Sequence, residues 1–135
     1  MARQARARGI HISMITNGSL LSEERVAALL DVGMVAINVS IESPSEAGFK
    51  KIRGGSLTKV KQGIARLLAA RRARGLEEPT VGFAVSVLKG TIDSLPAVAD
   101  LYFELGMDGG ATLQPLNRME SYAGVYDAET AAQLL

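Results

Sequence analysis

The sequence predicts an α/β fold, a parallel partial (β/α) barrel of about four βα units that forms a TIM-like half-barrel in a single domain, residues 1–135. Strand-like and helix-like segments alternate along the chain, with crossovers long enough to join parallel strands. In the strand-like segments large β-branched residues alternate with small or polar ones, which is unusual for parallel strands covered on both faces. A barrel wall explains this pattern, because one face packs under helices and the other lines the interior.

The first strand is predicted near residues 10–16, where IHISMIT is rich in β-branched residues and ends at an Asn-Gly turn signal. The tail of a helix is predicted before it, over residues 2–8. Ser22 suits the N-cap of the next helix, and Gly33 suits its left-handed C-cap. This part of the chain therefore forms the first βα unit.

Further strands are predicted near residues 35–42, 80–88 and 111–116. Helices are predicted over about residues 58–74 and 94–105, and a last one from residue 127. The segment after Pro44 is predicted to be irregular or a short helix. The order of elements is thus βαβαβαβα.

The composition excludes several classes of function. A net charge of +1 and an aromatic content of 4% argue against a nucleic-acid-binding surface. The sequence has no apolar run long enough for a membrane span. With no cysteine and one histidine, it offers no disulfide, no thiolate-bound iron–sulfur cluster and a poor supply of metal ligands. Nothing indicates secretion, so a cytoplasmic location is expected.

Polar side chains increase towards the carboxyl ends of the predicted strands. Asn17 follows the first strand, Ser40 and Glu42 end the second, and Gln114 lies in the fourth. In barrels and open α/β sheets that end carries the ligand site. The pattern predicts a polar cavity; a satisfied structural network or a solvent-facing edge is the alternative interpretation.

Two consecutive stretches of the chain resemble a known family. ITNGSLLSEERVAALLDVGMVAINVSIESPSE, followed by KKIRGGSLTKVKQGIARLLAARRARG, is similar to the central part of radical S-adenosylmethionine (radical SAM) enzymes. The similarity is to the group that contains molybdenum-cofactor synthesis and peptide-maturase members. That group carries TNG, a helix, V-x-V-S-[IL]-D, and then I-R/T-G-x-G before a basic helix. The resemblance covers roughly residues 10–90.

The resemblance implies a partial (β/α)6 barrel in which these strands are the third to sixth. Members bind a [4Fe–4S] cluster through a cysteine-rich loop after the first strand, and the cluster reductively cleaves SAM to a 5′-deoxyadenosyl radical. Because this chain has no cysteine, the resemblance implies a fragment that supplies part of the SAM pocket and is inactive alone. The full-length parent would carry the cluster, receive electrons from a donor and act on a small-molecule or peptide substrate.

The resemblance also implies roles for individual residues. Asn17 would lie at the mouth of the SAM pocket, and Ser40 and Glu42 would bind the ribose or methionine part of SAM. Arg53 would offer its guanidinium group to the methionine carboxylate. The remaining pocket-lining residues would be Ser86 and Gln114.

Two other functions stay open at the level of sequence. The chain could be half of a phosphate-handling (β/α)8-barrel enzyme, with Gly54-Gly55-Ser56 and Arg53 as the anion site. It could instead be a non-catalytic domain that binds a partner through its open strand edge or its basic helix.

Overall fold

The computed structural model describes residues 1–115. They contain one parallel sheet whose strand order follows the chain order, β1-β2-β3-β4. The strands are β1 (Ser13–Thr16), β2 (Ala36–Ser40), β3 (Thr80–Val87) and β4 (Ala111–Pro115). This arrangement confirms the predicted α/β half-barrel. Residue 116 and the helix predicted from residue 127 lie outside the described residues.

The helices of the described part alternate with these strands. They are α1 (Ala2–Ala7), α2 (Glu23–Val32), α3 (Glu46–Arg53), α4 (Leu57–Ala73) and α5 (Leu95–Glu104), with a 3-10 turn at Ile92–Ser94. The segment after Pro44 therefore contains a short helix of eight residues, which is one of the two predicted alternatives. Among residues 1–115, none of the helices has both the length and the apolar character needed to span a bilayer.

Short polar and glycine residues set the ends of these helices. The Ser22 hydroxyl accepts a hydrogen bond from the backbone of α2, and Gly33 ends that helix with φ 71°, as predicted. Ser45 and Ser56 cap α3 and α4 in the same way, and Gly54 ends α3 with φ 69°. Local sequence thus determines where each of these helices starts or stops.

The core lies between the helices and one face of the sheet. Ile37, Val39 and Ile41 of the second strand region have no solvent exposure, and they cluster with Ile64 and Leu67 of α4. The intervening residues of β2 are only half-buried. The predicted division into a helix-covered face and an interior face is confirmed.

Strand β1 is shorter than its sequence predicts. The β-branched run begins at Ile10, but the Ile10 amide donates to the Ala5 carbonyl at 3.0 Å and so closes helix α1. Regular pairing starts only at Ser13, which lies opposite Ala36. The capping contact of the preceding helix therefore takes the place of the first strand bonds.

Candidate cofactor site

Strand register defines rows of side chains across the interior face. Asn38 of β2 lies opposite Ile15 on one side and Gly82 on the other. Ser86 of β3 lies opposite Gln114 of β4. Because Cα partners in parallel strands direct their side chains to the same face, Ser86 and Gln114 are neighbours near the carboxyl ends of the strands.

In the middle of the interior face, a residue without a side chain leaves room for its neighbours. A Cβ on Gly82 would lie 2.6 Å from Asn38 Oδ1 and 2.5 Å from the Gly110 carbonyl oxygen. The space over Gly82 is therefore taken by the Asn38 amide and by the backbone that leads into β4. Any larger residue here would displace one of them.

The TNG segment forms a tight turn directly after β1. Asn17 Oδ1 accepts hydrogen bonds from the Ser19 amide at 3.1 Å and from Ser19 Oγ at 2.8 Å, while Thr16 Oγ1 accepts one from the Gly18 amide at 3.2 Å. Gly18 has φ +71°, and a Cβ there would lie 2.9 Å from Val39 Cγ1. The turn uses the oxygen of the Asn17 amide, and Asn17 Nδ2 makes no hydrogen bond within residues 1–115.

Glu42 is a buried carboxylate held by Arg53. Its side chain is 2% exposed, and it accepts a hydrogen bond from Arg53 Nε at 2.6 Å and another from Arg53 Nη2. This fork-to-carboxylate arrangement is the geometry that makes arginine a strong partner. Where sequence analysis directed Arg53 to the methionine carboxylate of SAM, the structure places it on Glu42.

Helix α3, which carries Arg53, is joined to α4 by a second carboxylate. Glu46 Oε2 accepts from the Thr58 amide at 2.9 Å and from Thr58 Oγ1 at 3.1 Å. The Thr58 N–H, at the start of α4, is the main reason that the pKa of Glu46 is lowered from its usual 4.5. Glu46 thus ties α3 to α4.

The glycine-serine stretch between these helices serves as their connection. Gly54 is the C-cap of α3, and Ser56 Oγ accepts a hydrogen bond from the Lys59 amide at 3.3 Å as the N-cap of α4. Arg53, the other member of the alternative anion site, lies on Glu42. These contacts give no support to the phosphate-barrel interpretation at this position.

The polar groups of the other predicted site residues are available for a ligand. Ser40 and Ser86 are half-buried on the interior face, and Gln114 is exposed. Within residues 1–115 their side chains make no hydrogen bond to protein, in contrast to Asn17 and Glu42. A ligand at the carboxyl ends of the strands would find hydroxyl and amide groups there.

Asn38 is a further polar residue of the interior face, and it is not among the residues assigned to SAM. Its amide lies over Gly82, and no protein hydrogen bond to its side chain occurs in the described part of the chain. The alternation of β2 in the sequence already assigns Asn38 to the same face as Ser40, but the resemblance gives Asn38 no role of its own.

The family model of the radical SAM superfamily matches residues 1–107. This chain belongs to the radical SAM superfamily. The resemblance seen in the TNG and NVSIE segments is thereby confirmed.

The curated relatives of this radical SAM chain carry different names. It is 29% identical over 130 residues to a tungsten-containing aldehyde ferredoxin oxidoreductase cofactor-modifying protein of Pyrococcus furiosus, across 94% of this chain and 36% of the relative. It is 33% identical over 96 residues to a probable GTP 3′,8-cyclase of Methanococcus aeolicus, across 71% of this chain and 30% of the relative. A probable GTP 3′,8-cyclase of Methanococcus maripaludis is 34% identical across 70% of this chain and 30% of its own length. The chain thus spans about a third of the length of these relatives.

Superfamily membership implies SAM and a [4Fe–4S] cluster, and the residues present fit these groups differently. Hydroxyl, amide and carboxylate groups at the carboxyl ends of the strands match the hydroxyl, amino and carboxylate groups of SAM. The cluster has no ligands here: the chain contains no cysteine, and residues 1–115 hold no group of three or more His, Cys, Asp or Glu side chains placed to bind a metal. This chain fits SAM and does not fit the cluster.

Proposed function

We propose that this chain forms part of the SAM-binding wall of a radical SAM enzyme. The observation that carries the proposal is a set of hydroxyl and amide groups that make no hydrogen bond to protein within residues 1–115. They lie at the carboxyl ends of β2, β3 and β4, on the face opposite the helices. In a parallel α/β sheet that position is the ligand site. The superfamily supplies the identity of the ligand, because its members use SAM.

We assign a role in SAM binding to each predicted residue. Ser40 and Glu42 bind the ribose or methionine part of SAM, since each oxygen of the Glu42 carboxylate keeps acceptor capacity beyond its bond to Arg53. Arg53 holds that carboxylate in place and contributes positive charge for the methionine carboxylate. Asn17 donates from Nδ2 at the mouth of the pocket. The remaining contacts come from Ser86 and Gln114.

The radical chemistry requires groups that these residues do not provide. When bound, the cluster supplies the electron that cleaves SAM, and its cysteine ligands must come from polypeptide other than these 135 residues, which contain none. We therefore propose that the complete enzyme is cytoplasmic, takes electrons from a donor and acts on a small molecule or peptide.

A titration with SAM tests the proposed pocket directly. We expect SAM to shift the backbone amide NMR signals of Ser40, Ser86 and Gln114 in the 135-residue chain. Signals at the opposite end of the same face, such as that of Ser13, are expected to stay in place. Shifts that are absent, or that occur mainly near Ser13, would show that SAM does not bind at the carboxyl ends.

Substitutions then assign the contacts. Ser40→Ala and Glu42→Ala are each expected to weaken SAM binding by about 1–3 kcal/mol, because each removes a hydrogen-bond partner of the ligand. Ser13→Ala is the matched control, since it removes the same hydroxyl from the far end of the interior face. Equal SAM affinity in Ser40→Ala and Ser13→Ala would remove Ser40 from the pocket.

A further inference from the structure

A second concave site lies outside the candidate SAM pocket, between α2 and α4. The cleft has a volume of about 500 Å³, and its lining residues come from the loop after β1, the start of α2 and one side of α4. On α4 it is lined by Lys59, Gln62 and Arg66, which have the spacing of residues on one helix face. None of the residues assigned to SAM lines it.

The cleft is built on a close contact between the loop and α4. A Cβ on Gly63 would lie 2.9 Å from Leu21 Cβ and 3.2 Å from the Gly18 carbonyl oxygen, so the missing side chain lets the loop approach the helix. Arg66 Nη1 donates to the Leu21 carbonyl at 2.6 Å. The wall that carries Arg66 is therefore fixed in place before any ligand arrives.

The cationic residues of the cleft differ from their neighbours in having no carboxylate partner. Lys61 of the same helix forms an ion pair with Glu104 at 3.0 Å. By contrast, Arg25, Lys59 and Arg66 form no ion pair within residues 1–115. Three cations thus line one cleft, and none of them is paired with a carboxylate of the described residues.

The remaining lining groups match a polyanion. Ser22 and Gln62 offer hydrogen-bond donors, and α2 begins at the cleft, where its first amides and its dipole favour negative charge. Arginine and lysine are the side chains that bind phosphate oxygens best. Glu24 also lines the cleft and opposes the cations, but three positive charges against one negative leave the lining net positive, and this favours a multiply charged anion.

We propose that this cleft binds the pyrophosphate group of a small-molecule ligand. Arg25 and Lys59 contact the phosphate oxygens from the two sides of the cleft, and Arg66 adds charge from the wall. The proposal does not depend on SAM binding, because the two sites share no assigned residue.

The test is calorimetric titration of the 135-residue chain with inorganic pyrophosphate. We expect saturable binding that weakens as ionic strength rises. Arg25→Ala and Lys59→Ala should each weaken binding about tenfold, the loss expected for one charge-assisted contact. Arg72→Ala is the matched control, since Arg72 is an exposed cation of α4 that does not line the cleft. The affinity of this variant for pyrophosphate should equal that of the parent chain.

Other outcomes would overturn the proposal. An absence of saturable binding would do so, as would an equal loss of affinity in Lys59→Ala and Arg72→Ala, which would indicate general attraction to a basic surface. Melting curves of the variants show whether each remains folded; Arg25 and Lys59 are exposed, so their removal leaves the core intact. Amide NMR signals of Ser22 and Gln62 locate the bound pyrophosphate, and shifts elsewhere would count against the cleft.

Discussion

At the scale of single residues, Arg53 and Glu42 form the contact that fixes the rim of the candidate SAM site. Glu42 is 2% exposed, so its carboxylate has lost its hydration, and two hydrogen bonds from the Arg53 guanidinium group take the place of water. We expect Arg53→Met to lower the free energy of unfolding by about 2–4 kcal/mol, because it leaves a buried charge without its partner. Urea unfolding measures the change.

Lys50→Met is the matched control for this prediction. Lys50 is also a cation in the last turn of α3, but it is exposed, and we expect a change within about 0.5 kcal/mol. A similar loss of stability in Lys50→Met and Arg53→Met would show that general charge in α3, and not the Glu42 contact, carries the effect.

The buried Arg71 makes acid stability depend on Asp108. Hydrogen bonds from Arg71 lower the pKa of Asp108 below its usual 3.8, with further help from the Val81 amide and against the opposing effect of burial. A depressed pKa in the folded state means that ionised Asp108 stabilises the fold above pH 3.8. This stabilisation is lost as the pH falls from 3.8 through the lower folded pKa.

Asp108→Asn tests this linkage. We expect the variant to be less stable than the parent chain near neutral pH, and the difference between them to shrink as the pH falls below 3.8. Urea unfolding over a series of acidic pH values gives the comparison. Glu46→Gln is the reference variant. The pKa of Glu46 is also lowered, but mainly by the exposed backbone amide of Thr58 at the start of α4 and not by a buried arginine. A constant difference at all pH values would exclude the linkage.

Sequence alone predicted polar residues at the ends of the strands but not the partners of the buried ion pairs. The TNG and NVSIE segments directed attention to Asn17 and Ser40, since local spacing places both near strand ends. The partner of Arg53 was not predictable, because Glu42 is eleven positions away and the contact depends on how α3 folds back over the end of β2. The burial of Arg71 likewise comes from packing against the loop after α5.

At the scale of elements, local signals in the sequence predicted the ends of helices better than the start of the first strand. Caps such as Ser22 and Gly33 act within a few residues of the backbone that they satisfy, so the sequence identifies them. The start of β1 depends instead on a contact of Ile10 with helix α1. Helix α3 is short, and its single buried side chain, Phe49, gives little periodic signal.

The close approach of β3 and β4 gives a prediction about an element pair. Gly82→Ala would bring a Cβ to 2.5 Å from the Gly110 carbonyl oxygen and 2.8 Å from that of Gly109, both backbone atoms that cannot rotate away. We expect a loss of about 1–3 kcal/mol in the free energy of unfolding, as for other overpacked sites. Thermal or urea unfolding measures it.

Gly55→Ala is the control that separates crowding from the general effect of replacing a glycine. Its Cβ would lie 3.6 Å from Phe49 Cε1, an ordinary van der Waals distance, and Gly55 has no positive φ. We expect this variant to match or slightly exceed the stability of the parent chain. If Gly82→Ala behaved in the same way, β4 would have room to move and the close contact would not be a constraint.

At the scale of the whole molecule, the alternation within strands was sufficient to predict the half-barrel. Each strand has its own helix-covered face and interior face, so the pattern of β2 is visible in its sequence without any knowledge of its neighbours. What covers the two edges of the sheet is not encoded in that pattern. The structure leaves Ile15 58% exposed at the β1 edge and Leu113 55% exposed at the β4 edge.

The β4 edge carries an apolar groove that gives the last prediction. The groove has a volume of about 330 Å³ between β4 and α5, and Phe103 beside it is 75% exposed. Contiguous apolar surface of this kind drives association in water.

We expect the 135-residue chain to self-associate as its concentration rises, and the double variant Phe103→Ser, Leu113→Ser to remain monomeric at concentrations where the parent chain does not. Sedimentation velocity measures this difference, and Leu76→Ser, which changes an exposed leucine outside the groove, should associate like the parent. Equal association in all three proteins would show that contacts elsewhere, such as the β1 edge, hold the copies together.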